Sequence, residues 1–352
     1  QYELCAMTTR MSSSFLRVGH FELYGRRARG GSQEGRKQLE LLSRHALFRH
    51  FPHILEQPLG FQEQLLSMSA EVAGLFANLS AEWVRVGYTQ SNFNADNCLI
   101  SGRTVDYGPF GFMERYDPSW GMWIHAGDHF SFMNQPAAAG MNFRMFVQSL
   151  RELMDEEGAT ELRRILAGFE NLASEALARV WARKLGLLSK DVAQKLWKRL
   201  DKLMQADGVD YTIFWRQLAE VLSEGDDAPI RDDIELLVPL EAAFYEPLRD
   251  KASSSKRKWV AWTSDWIAAL RSEKRPVKEV VEGMKKASPK FVPREWMLVE
   301  AYSKAEEGNH TMVHVLQELF RRPYDEQPSQ SGWFYRKRPP GADKEGGVGF
   351  MS

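Results

Sequence analysis

Asn94-Ala95-Asp96-Asn97 is followed, ten residues after the aspartate, by Asp106-Tyr107-Gly108-Pro109. These groups bring the Asp96 and Asp106 carboxylates and the Asn97 carboxamide to the ends of two short apolar stretches. Cys98-Leu99-Ile100 leads away from the first group, Ser101-Gly102-Arg103 reads as a turn, and Thr104-Val105 leads into the second. A Gly-containing connection between short strands predicts a β-hairpin. Such a hairpin gathers Asp96, Asn97 and Asp106 at one mouth. Oxygen ligands grouped this way suit Mg²⁺, which is held by one or two side chains while water and substrate phosphates complete its shell. From pattern alone a helix cap or turn is an equal reading of Asp96 and Asn97, since Asn and Asp favour both.

The elements that must position these residues can be read from periodicity. Residues 1–25 alternate and are rich in Thr, Phe, Val and Tyr, which predicts one or two strands with a turn. Arg26 to Gly35 reads as a loop or hinge. Leu39, Leu41, Leu42, Ala46, Leu47 and Phe51 have helical spacing. A longer helix is expected from Phe61 to Val86, with Leu65, Met68, Val72, Leu75, Leu79 and Trp83 on one face. Met113 to Gly140 reads as an irregular, aromatic-rich loop. Helices are expected over 142–156, 159–185, 190–206, 211–223, 233–251, 257–272, 276–285, 293–306 and 310–320, with breaks at Gly186, Gly208, Glu224–Asp227 and Ser253–Ser255. The chain after Arg322 reads as an extended or disordered tail.

Composition frames the function. The 352 residues suffice for one large domain or two ordinary ones, and 43% hydrophobic with 26% charged residues is ordinary for a globular protein. A formal net charge of −1 gives no footprint for nucleic acid. No apolar run approaches the ~18 residues that cross a membrane. Two cysteines, Cys5 and Cys98, do not make a disulfide framework. Cys98 reads as a buried structural residue. His125 and His129 flank Asp128, and a structural role is favoured there over a metal. Trp181, Leu185 and Leu187 read as core, and the basic run from Lys251 to Lys258 as solvated surface.

Protein kinases use a related Asp, Asn and Asp design for phosphoryl transfer, and longer stretches carry the likeness further. Gly87-Tyr88-Thr89-Gln90-Ser91-Asn92-Phe93-Asn94-Ala95-Asp96-Asn97, with Asp106-Tyr107-Gly108-Pro109-Phe110-Gly111-Phe112, resembles the selenoprotein O (SelO, YdiU) family. Asn134-Gln135-Pro136 with Asn142, Val209-Asp210-Tyr211-Thr212 with Phe214, and Arg321-Arg322-Pro323-Tyr324-Asp325-Glu326-Gln327-Pro328 are similar to further segments of that family, in its order. Thr9-Arg10 and Leu16-Arg17-Val18-Gly19-His20-Phe21 resemble its paired-arginine segment.

The resemblance implies an α+β, mostly α fold. It would comprise a protein-kinase-like C-lobe with a site β-hairpin and an appended helical C-terminal region, most of the N-lobe missing. The implied domains are an N-lobe or hinge remnant at 1–25, the catalytic C-lobe at 26–150, a helical region at 151–322 and a tail at 323–352. The implied activity is protein AMPylation, in which AMP passes from ATP to Ser, Thr or Tyr hydroxyls with Mg²⁺. Asp96 would be the catalytic base, Asn97 and Asp106 the Mg²⁺ ligands, and Arg10, Arg17 and Asp106 the groups facing the nucleotide. The partners would be ATP and hydroxyl-bearing proteins, with neither nucleic acid nor membrane. Eukaryotic members are mitochondrial and bacterial members cytosolic.

Gln90-Ser91 stands where many members have His-Gly, and the Gly-rich segment, Lys and Glu of the family's N-lobe are not found upstream of Arg10. The expectation is an N-terminally incomplete chain, and one that ends at Ser352 where a selenocysteine codon was read as a stop. A conventional protein kinase and an inactive truncated pseudoenzyme are the other readings.

Overall fold

The computed structural model describes residues 7, 9–105, 110–122, 127–222 and 234–342. Expectations for Cys5, Asp106, His125, the Glu224–Asp227 turn and the end of the tail fall outside the described residues. Within them the chain is mostly helical, with one two-stranded antiparallel sheet. The backbone divides into two compact units. One comprises Gln1–Phe76, Asn94–Asp106 and Gly140–Phe169, and the other Ala77–Phe93, Tyr107–Ala139 and Glu170–Ser352.

The first unit contains α1 (Val18–Arg29), α2 (Gln33–His50), α3 (Pro52–Leu55) and α6 (Glu156–Ala167), with segments of α4 (Phe61–Val86) and α5 (Gln135–Leu150). The strands expected within residues 1–25 are replaced, from Val18 onward, by α1. Its buried residues are Val18, Phe21 and Gly25. That spacing of three and four is a helical face, and burial on it outweighs the β preference of the local composition. The loop expected from Arg26 to Gly35 shrinks accordingly. Gly31 turns the chain at φ +87, and Ser32 caps α2 by accepting from the Gly35 amide at 3.0 Å.

Aromatic pairs hold these helices together. Phe21 of α1 meets Phe146 of α5 edge-on at 4.9 Å, and Phe143 of α5 stacks on Phe169 at 5.3 Å. Next to the first pair, Gly25 lies against the Ser149 backbone. A Cβ there would come within 2.8 Å of the Ser149 Cα, a main-chain atom that cannot rotate away. We expect Gly25→Ala to cost about 1–3 kcal/mol by overpacking, although alanine is the better helix former. Urea denaturation measures it, and an unchanged midpoint would show that α1 and α5 do not pack this closely.

The second unit carries the sheet. β1 (Tyr88–Gln90) pairs with β2 (Phe110–Phe112) in the register Tyr88↔Phe112, Thr89↔Gly111 and Gln90↔Phe110. Helices α7 (Phe169–Leu185), α8 (Lys190–Asp207), α9 (Tyr211–Glu220), α10 (Ser253–Ser272), α11 (Val277–Ala287), α12 (Glu295–Glu306), α13 (Thr311–Arg321) and α14 (Pro328–Phe334) follow. Tryptophans form much of the core. Trp181 stacks on Trp197 at 3.6 Å, in line with the core reading of that stripe. Trp259, Trp262 and Trp266 line one face of α10, and each indole N–H is matched, by Asp207 Oδ2 at 2.7 Å, Leu196 O at 3.0 Å and Leu185 O at 2.8 Å.

Several expectations are corrected here. The helix predicted over 159–185 is two helices that part at Gly168. The irregular stretch ends earlier than expected, because α5 begins at Gln135. The segment predicted as a helix over 233–251 forms tighter 3₁₀ turns at Ile234–Ala243 and Leu248–Asp250, with Pro239 inside the first, where its missing N–H forbids an α-helical bond. Ser253–Ser255 is not a break but the first turn of α10. Lys251 is not a solvated lysine, for its side chain is 2% exposed and pairs with Asp207 at 3.1 Å.

The tail is corrected too, since α14 lies within it and buries Phe334 in a cluster with Trp296, Met297, Leu316 and Leu319. Glu326 anchors that segment. It pairs with Arg216, with Lys290 at 2.7 Å and with Lys285 at 3.2 Å. Burial alone would raise the Glu326 carboxyl, but the Lys290 hydrogen bond and the charges of Arg216, Lys290 and Lys285 outweigh it and bring it down to about 2. A carboxylate depressed by folding stabilises the fold above its unfolded pKa and loses that contribution as pH falls through the folded value. Stability should therefore fall between roughly pH 4.5 and 2, and Glu326→Gln should flatten that part of the curve. Equally steep acid unfolding in the variant would assign the effect to other carboxylates.

Candidate functional site

Asp96 and Asn97 sit in the first unit on a 3₁₀ turn, Ala95–Asn97. Asn94 caps it, with its Oδ1 accepting from the Asp96 amide at 3.0 Å and its carbonyl from the Asn97 amide at 3.0 Å. The cap reading and the chemical reading thus fall on different residues. Asn94 supplies the cap, which leaves the Asp96 side chain exposed and Asn97 half-buried. Ala95 and Cys98 point inward. Burial pushes the Cys98 thiol well up, so it stays protonated, and its role is packing, as expected.

The turn leads into the hairpin read from the sequence, present as single bridges rather than full strands. Cys98 bridges Thr104, and Gly102 makes the reversal at φ +64. A Cβ on Gly102 would come 2.8 Å from Leu75 Cβ, so the turn lies directly on α4. A third segment flanks the hairpin. The Val18 amide donates to Cys98 O at 2.9 Å and the Ile100 amide to Leu16 O at 3.1 Å, with Arg17 bridged to Leu99. Leu16 to Val18 is where the strand character expected near the N-terminus survives.

Arg17 therefore stands beside Asp96. Its Nη1 donates to the Asp96 carbonyl at 3.0 Å, and its own amide donates to His20 Nδ1 at 3.1 Å. Its Nε is buried and has no hydrogen-bond partner among the described residues. Gly19, the second residue of α1, faces the Asp96 carboxylate. A Cβ there would come closer to Asp96 Oδ1 than 3.0 Å, a limit real Cβ atoms essentially never cross. Arg10 is exposed. Of the residues picked out by sequence, the structure brings together Arg17, Asp96 and Asn97, while Asp106 lies outside the described residues. The sequence pattern gives Gly19 and His20 no role of their own. A missing side chain advertises no chemistry, and only its place beside Asp96 gives it meaning.

Other motif residues prove to be supports of the second unit. Gln135 is fully buried and fastens the free edge of β1. Its Oε1 accepts from the Gln90 amide at 2.9 Å, and its Nε2 donates to Tyr88 O at 2.9 Å and Phe132 O at 3.1 Å. Ser91 Oγ accepts from the Met122 amide at 2.7 Å. Asp210 caps α9 through the Ile213 amide at 3.0 Å and takes two hydrogen bonds from buried Arg294, at 2.7 and 2.9 Å. Among the described residues no group of three or more His, Cys, Asp or Glu could hold a metal ion. No helix of the described residues is long and apolar enough to cross a membrane.

Comparison with known proteins decides the family. The family described as protein adenylyltransferase SelO matches residues 1–321. The chain belongs to the SelO protein adenylyltransferase family. A protein nucleotidyltransferase YdiU of Flavobacterium johnsoniae is 30% identical over 356 residues, covering 100% of this chain and 64% of the relative. Its namesakes in Rhodopirellula baltica and Paraburkholderia xenovorans are 29% and 31% identical, covering 100% and 94% of this chain and 65% and 61% of theirs. The chain thus spans less than two thirds of the length of these SelO relatives.

The capped turn itself can be tested. Replacing an Asx cap with alanine costs about 1 kcal/mol, or about a fivefold increase in local opening. Asn94→Ala should therefore speed hydrogen exchange of the Asp96 amide by about that factor. No change would mean that the 3₁₀ turn is held by its flanking bridges alone.

Proposed function

We propose that this chain carries the hydroxyl-activating half of an AMP-transfer site. In this reading the full protein moves AMP from ATP to Ser, Thr or Tyr hydroxyls of other proteins. The observation that supports it most is a single arrangement. The Asp96 carboxylate is exposed while the main chain that bears it is tied to Arg17 and capped by Asn94. An exposed carboxylate on a fixed backbone can meet an incoming hydroxyl without reorganising.

In this reading Asp96 accepts the proton of the target hydroxyl as its oxygen attacks the α-phosphorus of ATP. The new O–P bond forms as the bond from the α-phosphorus to the bridging oxygen breaks, and pyrophosphate leaves. Arg10 and Arg17 face the phosphates, where a planar guanidinium pairs with two oxygens. In this reading the ligands are the Asn97 carboxamide and the Asp106 carboxylate, oxygen donors of the kind a hard cation such as Mg²⁺ prefers. Bound Mg²⁺ would supply neutralisation of the phosphate charge. The kinase-like C-lobe over 26–150, with its neighbours at 1–25, 151–322 and 323–352, belongs to the same proposal.

Incubation with ATP labelled at the α- or at the γ-phosphate, together with a protein acceptor, separates the readings. AMP transfer retains the α-label on protein and releases the γ-label as pyrophosphate. Retention of the γ-label alone would make the protein a conventional kinase, and no retention of either an inactive scaffold. Asp96→Ala should lower transfer at least about a hundredfold, the scale of a lost general base. Asp106→Ala should abolish the Mg²⁺-dependent part. Full activity in both variants would place the chemistry elsewhere.

A further inference from the structure

We infer that Gly19 is a positioning residue whose absent side chain is the space that holds the Asp96 carboxylate in its reactive pose. This rests on the reading of Asp96 as the base. The first turn of α1 is fixed beside the Ala95–Asn97 turn by Val18 N to Cys98 O at 2.9 Å and by Arg17 Nη1 to Asp96 O at 3.0 Å. Both main chains are therefore held, and the only freedom left between them is the Asp96 side chain. A Cβ on Gly19 would fall within 3.0 Å of Asp96 Oδ1, with Asp96 Cγ 3.3 Å away and the Ala95 carbonyl at 3.5 Å. The one severe clash is thus with an oxygen of the Asp96 carboxylate, while the neighbouring main chain is at an ordinary contact distance.

Backbone conformation does not require glycine here. Gly19 lies in the first turn of a regular helix and is not among the positive-φ glycines. Alanine is the better helix former, by about 1 kcal/mol in a helix interior and by less in a first turn. Helix propensity and main-chain geometry thus both permit alanine, and only the carboxylate excludes it. Because Asp96 is exposed, its carboxylate can swing into solvent at little cost to the fold. Substitution at Gly19 should accordingly separate activity from stability, which the overpacked Gly25 cannot do.

The test is Gly19→Ala in the same protein, read three ways. The carboxyl ¹³C resonance of Asp96, identified by its loss in Asp96→Asn, should shift in Gly19→Ala without nucleotide or metal. Thermal stability should hold or rise. In AMP transfer, kcat should fall about a hundredfold, the scale set by a displacement near 1 Å, while KM for ATP changes less than about twofold. An unmoved resonance, or wild-type kcat alongside an inactive Asp96→Ala, overturns the inference and leaves the AMP-transfer reading intact. If Asp96→Ala is itself fully active, the reading of Asp96 as base is what fails. Should Gly19→Ala destabilise the fold, the double variant with Asp96→Ala decides. Restored stability confirms that the Cβ and the carboxylate compete for one space, and unrestored stability makes Gly19 a packing residue.

Discussion

The first unit depends on one backbone pairing, Leu16–Val18 against Cys98–Ile100, reinforced by the Arg17 guanidinium on the Asp96 carbonyl. Its partners are about eighty residues apart, and closing so long a loop costs conformational entropy that local contacts alone do not offset. The intervening chain is therefore not a loop. It is folded into α2, α3 and α4, whose buried Leu39, Leu47, Leu65, Met68 and Val72 supply the apolar surface that makes closure favourable. Once the pairing forms, the start of α1, the hairpin and the Asp96 turn are all set by it.

The second unit follows a different rule, in which polar side chains finish what a two-stranded sheet and short helices leave incomplete. Gln135 serves as a third strand for β1, offering both an acceptor and a donor to an edge that would otherwise be unsatisfied. Arg294 hydrogen-bonds both Asp210 oxygens and reaches Glu114 at 3.1 Å, so the three side chains are packed together rather than singly. Removing one member would strand the others, which is why such groups behave as a set. Gln135 and Asp210 belong to family-like segments, as the candidate-site residues do, yet their geometry assigns them to architecture. Motif membership and chemistry are separable, and it is hydrogen-bond partners that separate them.

How much the sequence disclosed follows from the length of each signal. Helix α4 was legible to its ends because 26 residues repeat one apolar face, and the turn at Gly102 because glycine marks a reversal. Helix α1 was misread because its β-branched and aromatic residues favour strands locally, while the burial that makes it helical comes from α5, far along the chain. Helix α14 was hidden in a polar stretch whose one deep anchor is Phe334. At the candidate site, Asp96 and Asn97 stand out by residue type and spacing, whereas Arg17 is marked only by the family resemblance. The Asn94 cap was present in the pattern but its division of labour with Asp96 was not, since both residue types suit either role.

Arg17 shows why residue type matters at this position beyond charge. The guanidinium is a planar fork with five N–H donors, and one of them, on Nη1, is committed to the Asp96 carbonyl. That bond uses part of the fork and leaves donors for a second partner. A lysine could offer its ammonium to the carbonyl or to a phosphate, but not along two fixed directions at once. In the proposed role, the same side chain would join the nucleotide to the main chain of the base. A phosphate drawn to the fork would then be placed relative to Asp96 by a rigid plane rather than by a flexible stem. The contribution of arginine here is geometric, and its charge alone would not replace it.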